Sequence, residues 1–453
     1  MFRHSSHQLL DNPPALHYGA AAVDIDGDGL FEVVVAGFLG PNRVLKWNGK
    51  GFVDVAESML ADVKRKTIGV AGCDLDGDGR EEIYFLNTDT FAGPKRHSDT
   101  LLKHTPDGWI DLFHLDQNVE FANLTAGRSV AVLDRQGNGR YGFVVANYAG
   151  PLALFEADTE GRVRDVAPQA RIDRVTGGRG LVCAPLFESP LPDLFCNNEN
   201  GPNFLFRNLG DGRFDEVAAL CGVADAGLNG RGVAVLDARR DRRLDLVCAN
   251  WEGPARLYRQ RERGRYEEAT PPALDRPGPT RTVVVADFDH DGHEEIFFNN
   301  LSAPNRLFGW RQGGWVELDV GEAAEAGAWG TGAVVGDFDQ DGRLELLICH
   351  GEEKMESLSL FRPESVGHHL RVMPLTTAGA PARGARVIIR AGDREQVRII
   401  DGGSGYLCQM EPVAHFGLGP LTEVEEVEIR WPDGAEVKLG RQSAEQTLKV
   451  RHP

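Results

Sequence analysis

An acidic nonapeptide recurs along the chain at intervals near 50 residues, and no other feature restricts the possible folds as strongly. It reads DIDGDGLFE from Asp24, DLDGDGREE from Asp74, DFDHDGHEE from Asp287 and DFDQDGRLE from Asp337. Degenerate copies begin at Asp134 (DRQGNGRYG) and Asp237 (DARRDRRLD), while PLFESPLPD from Pro185 keeps only the register. First positions at 24, 74, 134, 185, 237, 287 and 337 define seven units spaced by 50, 60, 51, 52, 50 and 50 residues.

Within each unit a small-residue strand such as GAAAV or TVVVA precedes the acidic loop, and a second strand such as FEVVVAG or EIFFNN follows it. A Pro-Asn turn then leads to a third strand (NRVLKW, NFLFRN, NRLFGW) and a turn to a fourth (GFVDVA, RYEEAT). Four short strands per repeat mark a propeller blade, whereas helical solenoids of similar period would show a 3.6-residue pattern that is absent here. The expected fold is therefore all-β, a seven-bladed β-propeller over residues 1–365 with a small C-terminal β-domain over 366–453. The seventh unit lacks a fourth strand of its own, so residues near 2–8 are expected to close it and remove the open edges of a partial ring.

Carboxylates at positions 1, 3, 5 and 9 of the loop can surround one hard cation, with glycine at position 6 for the sharp turn. Oxygen-only ligands on a flexible loop favour calcium, and flanking strands with a ninth-place acid exclude an EF-hand. The complete sets are Asp24, Asp26, Asp28 and Glu32; Asp74, Asp76, Asp78 and Glu82; Asp287, Asp289, Asp291 and Glu295; and Asp337, Asp339, Asp341 and Glu345. About four structural Ca²⁺ ions are expected. In the fifth unit Arg239 is expected to replace the metal by pairing with Asp237 or Asp245.

Two further registers emerge when the units are aligned. Six residues before each loop stand Tyr18, Ile68, Arg128, Arg179, Arg231, Arg281 and Thr331. Thirteen residues after its first position stand Gly37, Asn87, Asn147, Asn198, Asn250, Asn300 and His350. Both registers lie at the opposite end of the strand pair from the acidic loop. Arg128, Arg179, Arg231 and Arg281, with Asn147, Asn198, Asn250, Asn300 and His350, are expected to form a rim for an anionic or polar ligand or a protein partner, because guanidinium forks match carboxylate and phosphate. The competing readings are that the asparagines close turns through their side chains and that the arginines pair with Glu199, Glu252 or Glu120.

Beyond Gly367 the 50-residue register stops. Gly384-Ala385-Arg386-Val387, Gly403-Ser404-Gly405-Tyr406-Leu407, His415-Phe416-Gly417-Leu418-Gly419 and Arg430-Trp431-Pro432-Asp433-Gly434 resemble the hallmarks of the ASPIC/UnbV domain. With the repeats, the whole chain resembles the CRTAC-like proteins, in which FG-GAP or VCBS-type repeats precede that domain. The resemblance implies a calcium-binding propeller with an adhesive or binding role, and it includes UnbV-type proteins encoded beside enediyne polyketide synthases in actinobacteria. Ser404, Tyr406 and His415 in the tail tempt a catalytic reading, but no spacing fixes a base, a nucleophile elbow or an acid partner.

The net charge of −19 among 453 residues argues against non-specific nucleic-acid binding, and no apolar run approaches the roughly 18 residues of a membrane span. Seven cysteines without CxxC spacing point to free buried thiols. The first residues, MFRHSSHQLLDNPPALHYG, lack a basic stretch followed by an apolar one. A cytoplasmic protein is expected, or an extracellular one if a leader has been removed. The functional expectation is a calcium-stabilised binding or scaffold protein; the alternative is an enzyme or accessory catalyst in bacterial natural-product biosynthesis.

Overall fold

The computed structural model describes residues 1–364 and 367–453, so the domain boundary expected between residues 365 and 366 lies outside the described residues. Blade one consists of His17–Val23, Glu32–Gly37, Arg43–Trp47 and Phe52–Asp54, paired antiparallel in that order. The same meander recurs with inner strands Thr67–Cys73, Gly127–Leu133, Val175–Ala184, Gly230–Leu236, Gly278–Ala286 and Gly330–Gly336. In the seventh blade the outermost strand is Phe2–His4, with Phe2 opposite Pro363 and His4 opposite Phe361. Start and end of the ring are thus hydrogen-bonded together, which leaves no unpaired edge between first and last blade.

Seven blades must converge on one axis, so the inner strands are built from Ala, Gly and Val. Ala20, Ala21 and Ala22 are fully buried, and Val33, Val34 and Val35 cover them. Larger side chains fill the wedges between blades: Tyr84 of blade two packs against Phe143 of blade three, with ring centroids 5.3 Å apart. Each such aromatic side chain, wholly removed from water, contributes roughly 2–3 kcal/mol. On blades three and four, and again on five and six, the strands run past the blade body and pair across it, Tyr148 with Thr176 and Trp251 with Pro279.

The tail forms a three-stranded sheet (Ala414–Gly419, His368–Leu375, Thr447–Arg451), a four-stranded sheet (Arg394–Ile399, Arg386–Ala391, Glu426–Arg430, Glu436–Leu439) and a short pair, Glu423–Val424 with Gln442–Ser443. Val387, Ile389, Phe416, Val427 and Trp431 fill its own core. It sits on the face that carries the acidic loops. Arg371 reaches Asp337 at 3.0 Å, Arg383 reaches Glu81 at 3.3 Å, and Lys449 donates to the Gly29 carbonyl at 3.0 Å.

Between Ile399 and Ala414 the tail sends a loop into the channel. The Gly402 amide donates to Cys183 of blade four, and its carbonyl accepts from Val132 of blade three. Gly405 exchanges two backbone bonds with Val233 of blade five, and the Tyr406 amide donates to Thr282 of blade six. Gln409 exchanges backbone bonds with Ala20 and Ala22 of blade one and accepts from the Gly72 amide of blade two, while Glu411 donates to Val335 of blade seven. Every blade therefore holds the plug. A Cβ at Gly402 would collide with the Val132 carbonyl, which is why this loop is glycine-rich.

Candidate functional site

Two sites lie at opposite ends of the ring. In each complete acidic loop the first aspartate accepts backbone amides: Asp24 takes those of Gly27 and Gly29 at 2.8 and 2.9 Å, with Gly29 in the left-handed region at φ 79°. The ninth-place glutamate returns to the second residue, so Glu32, Glu82, Glu295 and Glu345 each accept one amide, from Ile25, Leu75, Phe288 and Phe338. Their other oxygens turn inward. Carboxylate oxygens of Asp24, Asp26 and Glu32; of Asp74, Asp76 and Asp78; of Asp287, Asp289 and Asp291; and of Asp337, Asp339 and Glu345 converge to within 4.8 Å of one another.

Each convergence point also receives a base from the third strand, a feature the sequence reading missed. Lys46 Nζ lies 2.6, 2.9 and 2.8 Å from Asp26, Asp28 and Glu32. Lys103 likewise meets Asp76, Asp78 and Glu82; Arg311 meets Asp289, Asp291 and Glu295; and Arg362 meets Asp339, Asp341 and Glu345. The register opposite the ninth loop position holds Glu156 in blade three, Arg207 in blade four and Arg259 in blade five. A base at this register therefore occurs with and without a complete loop, and in blade six Arg311 reaches the loop from two residues beyond it.

The loops of blades one and two set one third-strand cation against four carboxylates. Those of blades six and seven add one arginine from the tail, Arg398 3.6 Å from Asp287 and Arg371 3.0 Å from Asp337, which still leaves acid in excess. Burial raises Glu32 to about 7 and Glu82 to about 8 despite the neighbouring ammonium groups. In blades six and seven, Oδ1 of Asp287 and of Asp337 is buried with no hydrogen-bond partner. Orphaned, inward-facing carboxylate oxygens in an all-oxygen donor set fit a hard divalent ion such as calcium.

The degenerate loops keep the amide bonds to the first aspartate and lose one or more of the other carboxylates. Asp134 Oδ1 accepts amides of Gln136, Gly137 and Asn138, and Arg135 pairs outward with Glu156. Arg239 lies 3.0 Å from Asp241 and 3.7 Å from Asp245, while Asp237 accepts backbone amides instead. Of the two partners expected for Arg239, the structure pairs it with Asp245 alone.

At the other end, Arg128, Arg179, Arg231 and Arg281 line one cavity of about 500 Å³ together with Asp89, Phe91, Glu199, Trp251, Glu352 and Tyr406. Glu199 binds both Arg179 and Arg231, and Arg281 binds Glu352. Burial opposes ionisation of Glu199, but the two guanidiniums hold it at about 2. Arg128 meets only the carbonyls of Thr90 and Phe91. Aromatic faces flank the arginines: Arg128 lies 4.9 Å from the Phe91 centroid, Arg179 4.6 Å from Tyr148 and Arg281 4.8 Å from Trp251.

The asparagine register and His350 lie behind this cavity. Asn147, Asn198, Asn250 and Asn300 are buried and donate to the carbonyls of Pro151, Pro202, Pro254 and Pro304 four residues on, closing the turns. His350 is consumed by the Ser357 carbonyl and Glu325. These five residues do not line the cavity. Ser404 donates to Asp401 at 2.6 Å and His415 meets His290 at 2.9 Å, so among the described residues no hydrogen bond links Ser404, Tyr406 and His415. Tyr406 instead reaches the rim, its hydroxyl 3.1 Å from Arg179.

Residues 376–453 match the family described as ASPIC and UnbV, and residues 24–85, 190–248, 237–298 and 287–348 match the FG-GAP-like repeat. Cartilage acidic protein 1 of Homo sapiens is 47% identical, the alignment covering 98% of this chain and 73% of that protein. Its counterpart in Xenopus tropicalis is 46% identical, over 93% of this chain and 71% of that one. Among solved structures, the BP39L lectin from Burkholderia pseudomallei aligns with a TM-score of 0.48 at 14% identity, covering 78% of this chain and all of that one. The two named relatives are animal proteins, and nothing in them supports the biosynthetic alternative.

Proposed function

The chain belongs to the family of cartilage acidic protein 1, and on that premise we propose that it is a binding or scaffold protein whose acidic loops hold structural calcium and whose arginine rim receives an anionic or polar ligand or partner. Calcium would be held by the position 1, 3, 5 and 9 carboxylates of blades one, two, six and seven, where it supplies charge neutralisation and ties the two inner strands of each blade together. Its neighbours on that face belong to the tail, so the ions are structural in this reading. The relatives' name refers to cartilage, which favours the extracellular placing over the cytoplasmic one. Among the described residues, no helix is long and apolar enough to cross a membrane.

The observation that carries the reading is the asymmetry of the two faces. The tail covers one, whereas the other carries the arginine-lined cavity, with Phe91 of its lining 64% exposed. An exposed aromatic beside cationic donors suits recognition of an acidic partner. Arg128 is the residue to test, because Arg179 and Arg231 hold the buried Glu199 and their removal would unbalance the fold as well. Binding of sulfate, phosphate or benzoate by the full chain, followed by tryptophan fluorescence and calorimetry, is expected to vanish in Arg128→Ala with the melting temperature unchanged. Equal binding by the variant, or none by the parent, overturns the reading.

A further inference from the structure

Resting on that reading of the rim, we propose that the cavity is a two-domain site for a planar monocarboxylate, completed by the Tyr406 hydroxyl that the tail threads through the propeller channel. The route is fixed by the plug's bonds to all seven blades, from Gly402 at blades three and four to Glu411 at blade seven. At its tip Leu407 takes φ 65°, a conformation rare for a bulky residue, and the reversal leaves Tyr406 3% exposed with its hydroxyl against Arg179. The propeller alone supplies arginines around an open channel end; the tail supplies the floor.

Charge and shape select the ligand class. Four arginines face three lining carboxylates, Asp89, Glu199 and Glu352, which leaves one positive charge for a ligand to offset. The Nε donors of Arg128, Arg231 and Arg281 are buried without an acceptor, so the guanidiniums retain capacity that the protein does not use. A carboxylate matches the planar fork and brings one negative charge; a phosphate dianion overshoots. Phe91 and Trp251, flanking those guanidiniums, give a flat ligand body faces to stack on. A volume of about 500 Å³ admits a carboxylate joined to a ring, within the range of small-ligand pockets.

Tyr406 gives the site a spectroscopic mark. Burial pushes its hydroxyl upward, but Arg179, Arg231, Arg128 and Arg281 outweigh that and hold it below the ordinary tyrosine value. The other ionisable groups lining the cavity are Asp89, Glu199, Glu352 and Tyr18. A neutral phenol can donate to a carboxylate, whereas a phenolate repels it, so binding should weaken as pH rises through the Tyr406 ionisation.

The test titrates the full chain with benzoate, phosphate and sulfate, for the parent, Tyr406→Phe and Arg128→Ala. Benzoate is expected to bind most tightly, to lose about tenfold in affinity in Tyr406→Phe, and to show a pH slope that this variant lacks. In the parent, benzoate should also raise the pH at which the tyrosinate absorbance appears, a readout that stands even if Tyr406→Phe folds poorly. Parental benzoate affinity and pH slope in Tyr406→Phe, with loss in Arg128→Ala, overturn the two-domain site and leave the rim reading intact. Tighter binding of phosphate or sulfate overturns the carboxylate class, and no binding of any anion removes both readings.

Discussion

Blades one, two and seven and blades three, four and five share a strand plan and differ at both ends. The first group has complete acidic loops with a third-strand base, and at the rim presents Tyr18, Ile68 and Thr331. The second group has lost most of the loop carboxylates, and at the rim presents Arg128, Arg179 and Arg231. Blade six alone carries both an intact loop and a rim arginine, Arg281. A repeat whose fold rests on strand pairing and wedge packing keeps its shape when a loop loses its other carboxylates, because the amide bonds to the first aspartate remain. In the proposed reading, metal and ligand chemistry are concentrated on different arcs of one ring that overlap at blade six.

The plug is the most sensitive point. Gly402→Val forces a branched side chain into the Val132 carbonyl and is expected to cost roughly 3 kcal/mol or more, read as a lower urea midpoint, with loss of anion binding because Tyr406 is displaced. A variant that melts normally would show the plug to be an ornament of the channel.

Next in size is the asparagine register, which separates turn closure from recognition. Asn198→Ala abandons the Pro202 carbonyl and the Thr176 hydroxyl, with an expected destabilisation of about 1–3 kcal/mol and unchanged anion affinity at temperatures where it is folded. Reduced affinity at full stability would return the asparagines to the binding site.

The metal arc predicts a pH dependence with a definite sign. Without calcium, burial raises Asp74 to about 6, Asp287 and Asp337 to about 7 and Glu82 to about 8, against roughly 4 in the unfolded chain. The native state then binds more protons than the unfolded state across that window, so its stability should fall as pH rises from about 5 to about 8. A drop on the order of 5 °C in melting temperature is expected, and saturating calcium should flatten it. A metal-free melt that climbs over this range would refute the buried-carboxylate account.

Smallest is the effect of the internal base. Lys46→Met removes the cation that competes for Asp26, Asp28 and Glu32, and the calcium affinity of blade one should rise on the order of tenfold. Unchanged affinity would mean that lysine and ion occupy different places.

The period and the four-strand blades were legible because each is a local pattern repeated around the ring, and the acidic loops because four complete copies share one spacing. The rim arginines were legible for the same reason, since alignment of repeats places equivalent residues at one end of the ring. Tyr406 was not: its position depends on a contact with blade six 124 residues earlier, and GGSGYL by itself reads as a glycine-rich turn. Lys46 and its counterparts were visible but required pairing the third strand with the loop. The asparagine turns show the limit of register arguments, because residues at one end of a ring can still face inward.

The account's central claim is that the acidic arc holds structural calcium while the arginine arc does not depend on it for its chemistry. Calorimetric titration of calcium into chelator-treated full-length chain, with the melt recorded at each step, tests this most directly. The account predicts saturable binding that raises the melting temperature, by about 4 kcal/mol of stability per site at a thousandfold excess over Kd, and equally so in Arg128→Ala. No heat and no change in the melt at millimolar calcium would contradict it, leaving Lys46, Lys103, Arg311 and Arg362, with Arg398 and Arg371 of the tail, as the cations that satisfy those loops.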